Sequence, residues 1–324
     1  MLRYIPTGEL LGSPYTSDVT PLIVYEAVGF ALGLIVGSFL NVCIARLPQG
    51  QSVVHPRSRC PHCGAGIRWY DNVPVVSWLL LGGRCRDCKQ PIALRYPLVE
   101  IGLGLWFMVQ AGEIYTLLHF SKSHDLVSDV IVHVGIGFLG FLLIGLMVMD
   151  WQTQLLPDLF TLGGITVSFF LTCVRSIFLA PNEDDVLLNN NHVQISSPGS
   201  SAGQGNVFLT GPERMLGEWL LSVFAAVVIL LLVRWLYKVL RHREGMGLGD
   251  VKLFGLLAAF LGFWSATLAL FLGVLIASIY AVVLLARGKI GRASKLAFGS
   301  FLAVGGLLAA LYGEKIMSMY KTLL

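Results

Sequence analysis

Charge is what this chain has least of. Only 13% of its 324 residues are Asp, Glu, Lys or Arg, about half of the ~25% usual in a soluble domain. A soluble core of this size needs a larger polar coat, so a conventional cytosolic enzyme is excluded, as is a disordered chain. Cysteine is also scarce, with six in the whole chain, which excludes a small secreted domain stapled by disulfides. No small-residue cleavage site follows the first apolar run, and its single upstream basic residue, Arg3, is distant. That run is therefore expected to be a true first span rather than a cleaved signal peptide. No internal repeat is evident.

What is present is apolar. Hydrophobic residues make up 55% of the chain and the mean hydropathy is +0.73, the composition of a polytopic, all-α membrane protein. A bilayer-spanning helix needs about 20 mostly apolar residues, and eight segments qualify: about 21–44, 97–118, 127–149, 156–180, 215–238, 249–264, 266–286 and 296–316. Residues 1–20 precede them as a short external segment. The sixth and seventh spans are divided only by Gly262-Phe263-Trp264-Ser265, read here as a tight hairpin; one long helix would leave seven spans. The chain thus divides into an N-terminal part, 21–118, a second part, 127–290, and a last span with its C-terminus, 296–324.

Basic residues set the orientation. With the N-terminus outside, 17 of the 23 Lys and Arg fall on the cytosolic side, in 45–95, in the tail of the fifth span and its loop, at Lys252, and in 287–295; six remain outside. Positive loops stay cytosolic, so both termini are expected outside. Seven spans would break this alternation in the last third. The stretch 181–212, with Asn182-Glu183-Asp184-Asp185, Asn189-Asn190-Asn191 and a Ser/Gly/Pro run, is polar and of low complexity. It is expected to be a flexible external insertion without chemistry.

Four of the cysteines form two pairs, Cys60-Pro61-His62-Cys63 and Cys85-Arg86-Asp87-Cys88. Two residues between cysteines let both thiolates of a tight turn reach one ion, and two such pairs make a four-cysteine zinc site. Disulfides or redox pairs are the alternatives, and a reducing cytosol argues against stable disulfides. The 45–95 segment is too small to build much of a core, so a metal would hold its fold. His62 is expected to face solvent, and Cys43 and Cys173 to be small buried apolar residues of the spans.

Charges within spans are costly, so each is a functional suspect. Asp150 ends the third span and Asp250 opens the sixth, both at the cytosolic end by this topology. Two carboxylates held close share one proton; one then activates water while the other protonates the substrate carbonyl. Gly245, Gly247 and Gly249 precede Asp250, a poor helix sequence that lets a peptide approach the backbone. Alternatively both aspartates merely cap helices, Asp250 being a good N-cap residue. Asp158 is expected to start the fourth span, Glu100 sits early in the second, and Asp125 and Asp129 belong to a solvated external loop.

These residues together resemble the bacterial type IV prepilin peptidases, bifunctional leader peptidases and N-methyltransferases of pilus and type II secretion systems. Gly247-Leu248-Gly249-Asp250 matches the GxGD signature of membrane aspartic peptidases, extended by Lys252. Asp150 with Leu155-Leu156-Pro157-Asp158 matches the segment of the first catalytic aspartate. Gly37-Ser38-Phe39-Leu40-Asn41-Val42, Arg46-Leu47-Pro48, the cysteine knuckles, Trp69-Tyr70-Asp71-Asn72-Val73-Pro74, and Tyr96-Pro97 with Glu100 match the N-terminal half. The resemblance spans about residues 30–290. It implies Asp150 and Asp250 as catalytic residues, with Gly247, Gly249 and Lys252 beside the substrate. It also implies leader cleavage of prepilin and pseudopilin substrates at the cytosolic face of the inner membrane, then methylation of the new N-terminus with S-adenosylmethionine. The departure is the 181–212 insertion, which sets Asp250 a hundred positions after Asp150. No glycine-rich nucleotide signature of a soluble methyltransferase is visible, so the donor site has no assigned residues. Membrane lipid surrounds such a protein, and nucleic acid is not expected as a partner.

A proton-coupled transporter with a zinc-bearing cytosolic lobe is the competing reading. It suits the intramembrane carboxylates but not their position at one membrane side, nor the missing repeat. A zinc-dependent scaffold for a secretion apparatus leaves the glycine-aspartate motif unexplained.

Overall fold

The computed structural model describes residues 16–120, 126–178, 186–189, 192–195, 211–242, 246–288 and 296–323. Among them the helices are α1 (Thr16–Arg46), α2 (Val76–Leu80), α3 (Arg95–Phe120), α4 (Leu126–Thr153), α5 (Asp158–Phe178), α6 (Gly211–Arg241), α7 (Leu248–Ala286) and α8 (Phe298–Leu323). Six of them are long and apolar enough to cross a membrane, and the apolar part of α8, Phe298–Gly313, is shorter. Helices satisfy every backbone group within one segment, which is what a bilayer interior demands. Boundaries differ from the sequence reading by a few residues, because helical turns continue past the apolar stretch: α1 begins at Thr16 and α4 runs on to Thr153. Gln154, at φ 53°, then ends α4 in a left-handed turn, and α5 starts at Asp158 directly after Pro157.

Glycines let α1 and α3 touch along their backbones. Gly29, Gly33 and Gly37 lie four residues apart on α1. A methyl group at Gly33 would sit 2.5 Å from the Leu103 carbonyl oxygen, and one at Gly37 would sit 2.8 Å from the Glu100 Cα. Lipid offers no hydrophobic drive to association, so close backbone packing over small residues supplies it. Buried polar groups pair between helices: the Ser168 hydroxyl donates to the Ala259 carbonyl at 2.7 Å, and the Trp219 indole donates to Ser168 at 3.1 Å. Trp106 donates its indole N–H to Ile136 across α3 and α4 at 3.0 Å.

The hairpin reading of the sixth and seventh spans holds. Gly262 has φ 78° and ψ 168°, which no helix contains. Leu257, before it, packs against Gly306, while Ala269 and Gly273, after it, pack against Gly305. Only a chain that folds back brings both stretches to one turn of α8. The first limb of α7 runs alongside α8, from Gly249 and Gly299, which share Leu156, to the Leu257–Gly306 contact. The second limb runs against it, from Ser265 beside Gly313 to Tyr280, whose ring is tilted against that of Phe301 with centres 5.3 Å apart.

Two expectations are corrected. Asp129 is not in a loop but in the first turn of α4, half-buried near Arg175 of α5, because helical backbone starts at Leu126; Asp125 lies outside the described residues. Of the 181–212 insertion, the described part is not shapeless. Strands β1 (Val186–Asn189) and β2 (His192–Ile195) pair antiparallel, with Asn189 opposite His192. An apolar run, Val186-Leu187-Leu188, before an Asn-rich stretch and the alternating His192-Val193-Gln194-Ile195 after it are a hairpin signal, which the overall polarity of the stretch obscured. The remainder of it, apart from the start of α6, lies outside the described residues.

Candidate active site and metal centre

Six helix ends converge at one end of the bundle: the C-termini of α1 and α4, and the N-termini of α3, α5, α7 and α8. The lobe between α1 and α3 packs there too. Within it, both cysteine pairs fold into the same turn. The Gly64 N–H donates to the Cys60 carbonyl at 2.9 Å, and the Lys89 N–H to the Cys85 carbonyl at 3.0 Å. Gly64 and Lys89, each just after the second cysteine, take left-handed conformations at φ 71° and 58°. Isolated bridges Arg59–Gly66 and Arg84–Pro91 close the two turns. All six cysteines are free, as a thiolate site requires and a disulfide pair would not be.

The four sulfurs of Cys60, Cys63, Cys85 and Cys88 lie within 4.8 Å of one another, and Cys60 and Cys88 are 3.8 Å apart. Tetrahedral zinc with bonds of ~2.3 Å places its sulfurs about 3.8 Å apart, so the set fits one zinc ion. Backbone N–H groups of Cys63 and His62 pull the Cys60 thiol down to about 6. The Gln90 backbone N–H also lowers Cys88, but burial and the neighbouring sulfurs outweigh it and push that thiol up to about 12. Four thiolates cannot ionise side by side without a cation between them. His62 is exposed and Cys43 is buried, as expected; Cys173 is only partly buried. Arg86, inside the second turn, grips Asp71 with two bonds of 2.9 and 2.6 Å, and its hydrogen bonds hold that carboxyl below the usual range.

Asp150 lies in the last turn of α4 and is 5% exposed. Its Oδ2 accepts the backbone N–H of Ser300 at 2.7 Å, and the Ser300 hydroxyl lies 3.0 Å away. Asp250 is not the N-cap residue itself, but it does cap the start of α7, as the capping alternative has it in part. Gly247 is the N-cap of α7, and Asp250, in the first turn, reaches back to accept the Gly247 N–H at 3.3 Å. The two aspartates are near enough for their charges to interact. Leu156 packs between Gly249 and Gly299, and a methyl at Gly299 would meet Asp150 Oδ2 at 3.0 Å, so glycines on both helices let the carboxylates converge. Lys252 pairs with Asp158 at 2.5 Å, bridging the starts of α7 and α5 at the rim.

Ser300 and Gly299 escaped the sequence reading. One signal was available: Gly-Ser-Phe-Leu occurs twice, at 37–40 and 299–302. In each copy the serine stands beside an acid, Ser38 by Glu100 and Ser300 by Asp150.

A helical membrane bundle in which two aspartates meet at one end, one of them in a Gly-Leu-Gly-Asp turn opening a helix, is the architecture of a membrane aspartic peptidase. Comparison with known proteins narrows the class. The model of the type IV leader peptidase family matches residues 137–282, and that of the bacterial peptidase A24 N-terminal domain matches residues 31–114. The prepilin leader peptidase/N-methyltransferase of Stutzerimonas stutzeri is 30% identical over 321 residues, 92% of this chain and 94% of its own. That of Pseudomonas putida is 31% identical, over 90% of this chain and 92% of its own. That of Myxococcus xanthus is 44% identical over 142 residues, 44% of this chain and 38% of its own. This chain belongs to the type IV leader peptidase family. No solved structure matches it.

Proposed function

We propose that this protein cleaves the leader from type IV prepilin-like substrates at the cytosolic face of the bacterial inner membrane, and methylates the new N-terminus with S-adenosylmethionine. The observation that carries the reading is the meeting of Asp150 and Asp250 beside the Ser300 backbone. One carboxylate, ionised, takes a proton from water, which attacks the scissile carbonyl carbon; the other, protonated, donates to the carbonyl oxygen. Collapse of the tetrahedral intermediate breaks the C–N bond: the first carboxyl gives the leaving amine the proton it took from water, and the second takes back the proton it gave to the carbonyl oxygen. The Ser300 N–H holds one oxygen of Asp150 in place, which keeps the other free for this exchange.

Gly247 leaves the backbone ahead of Asp250 bare for an extended peptide, whereas Gly249, expected beside the substrate, gives its room to Leu156; Lys252, tied to Asp158, borders that approach. The distribution of Lys and Arg, 17 against six, supports a cytosolic site with both termini outside. The lobe holds structural zinc through Cys60, Cys63, Cys85 and Cys88. Similarity to relatives named prepilin leader peptidase/N-methyltransferase supports both activities together.

The test incubates the purified protein with a prepilin and measures cleavage and the mass of the new N-terminus. Asp150→Asn and Asp250→Asn should each abolish cleavage in protein that still inserts and folds, since groups that act as a unit fail together. If either variant cleaves near the wild-type rate, that aspartate is not catalytic.

A further inference from the structure

A cavity bordered by the lobe lies apart from the dyad. It occupies about 470 Å³ between the lobe and the adjoining ends of α1 and α3, within the ~300–1,000 Å³ of ordinary small-molecule sites. On one wall stands Glu100, 8% exposed, with Ser38 and Asn41 beside it. Its Oε2 accepts the Val75 N–H at 2.7 Å. Val75 is a β-branched residue at φ 61°, a costly conformation for such a side chain, and this bond opposes its relaxation. Among the described residues, no Lys, Arg or His forms an ion pair with Glu100, whereas Asp71, Asp87 and Asp158, for example, are so paired.

A carboxylate held at a cavity wall by neutral donors lacks a matching charge, and burial makes that costly. A cation entering the cavity supplies it. Other parts of the wall differ: Trp78 and Ile92 give an apolar surface of the kind a purine lies on, while Arg46 and Arg95 suit a carboxylate. A purine, a cation and a carboxylate in one small molecule describe S-adenosylmethionine. We propose that this cavity is its binding site, with Glu100 set against the cationic part of the molecule, an inference that rests on the methyl-transfer half of the function proposed above. S-Adenosylmethionine supplies a methyl group made electrophilic by a positively charged sulfur.

The position suits a second step. Arg95, on the cavity wall, donates a hydrogen bond to Gln152, two residues beyond Asp150, so the amine released at the dyad emerges next to the cavity. Cys60 and Cys85 also line it, so zinc held by the four cysteines would help to shape that wall.

The test measures equilibrium binding to the full-length, zinc-loaded protein in detergent, using S-adenosylmethionine and 5′-methylthioadenosine, an uncharged analogue lacking the amino-acid part. Glu100→Gln removes the charge yet keeps an acceptor for Val75. It should weaken S-adenosylmethionine about tenfold or more and leave 5′-methylthioadenosine within about twofold. An equal loss of both, or no loss, overturns the role of Glu100. Ultraviolet cross-linking of methyl-radiolabelled S-adenosylmethionine should mark peptides within 38–46, 71–78 or 93–100, and label confined to other segments overturns the site. Wild-type protein that methylates prepilin but fails these measurements defeats this inference alone; wild type that neither binds the donor nor methylates defeats the reading beneath it.

Discussion

Gly299 offers the sharpest test of how the dyad is held. Replacing it by Ala places a methyl group 3.0 Å from Asp150 Oδ2 and 3.0 Å from Leu156 Cδ1, inside the ~3.5–4.0 Å at which such atoms attract. The N-terminus of α8 cannot retreat freely, because the next residue holds the same oxygen through a 2.7 Å bond from its N–H. Either that bond stretches or Asp150 and Leu156 move. Overpacking of this sort costs about 1–3 kcal/mol, and a reacting group displaced by about 1 Å costs about a hundredfold in rate. We expect Gly299→Ala to lower kcat for prepilin cleavage by about ten- to a hundredfold, with KM little changed because the peptide path is untouched. Gly102→Ala on α3, where an added methyl meets nothing within 4 Å, is the control. Single-turnover cleavage, with thermal unfolding of both variants, decides the matter. Gly299→Ala at the wild-type rate would refute the claim that close packing at α8 positions Asp150.

Ser300→Ala removes the hydroxyl 3.0 Å from Asp150 but keeps the N–H; with a hydrogen bond to a charged group worth about 1.5–3 kcal/mol, the rate should fall roughly tenfold or more, and unchanged turnover would show the hydroxyl bonds only Met147. Purified protein should contain about one equivalent of zinc. Cys63→Ser should release most of it, while Cys43→Ser and Cys173→Ser keep it, as elemental analysis will show. Metal-free active protein with paired disulfides would sink the site. Replacing residues 182–211, hairpin included, by a short Gly/Ser linker should leave cleavage largely intact, since closure entropy varies slowly with loop length; a well-inserted deletion that fails to cleave would give the insertion a role.

What the sequence made legible was local. Each catalytic candidate sits in a short motif, and each cysteine pair carries its spacing in four residues, so chemistry and position are read together. The helical hairpin at Gly262 was also readable, because charge alternation along the chain demanded it. Ser300 was not, since its bond to Asp150 joins residues 150 apart and serine is too common to stand out. Glu100 could be named as a suspect from its cost in a span, but its lack of an ionic partner needed the neighbours on the lobe. The β-hairpin was hidden by composition: the polar residues around it outweighed one short apolar run and four residues of alternating pattern.

The reversal at Gly262 decides more than the path of one helix. A straight helix of 39 residues would extend about 58 Å, nearly twice the ~30 Å hydrocarbon layer, and would deliver everything after it to the opposite compartment. One residue with a left-handed backbone therefore sets the parity of the chain. It returns Tyr280 to the level of the aspartates, beside Trp151 and Phe301, and the next helix must then begin where α4 ends. Ser300 meets Asp150 because the number of crossings between them is even.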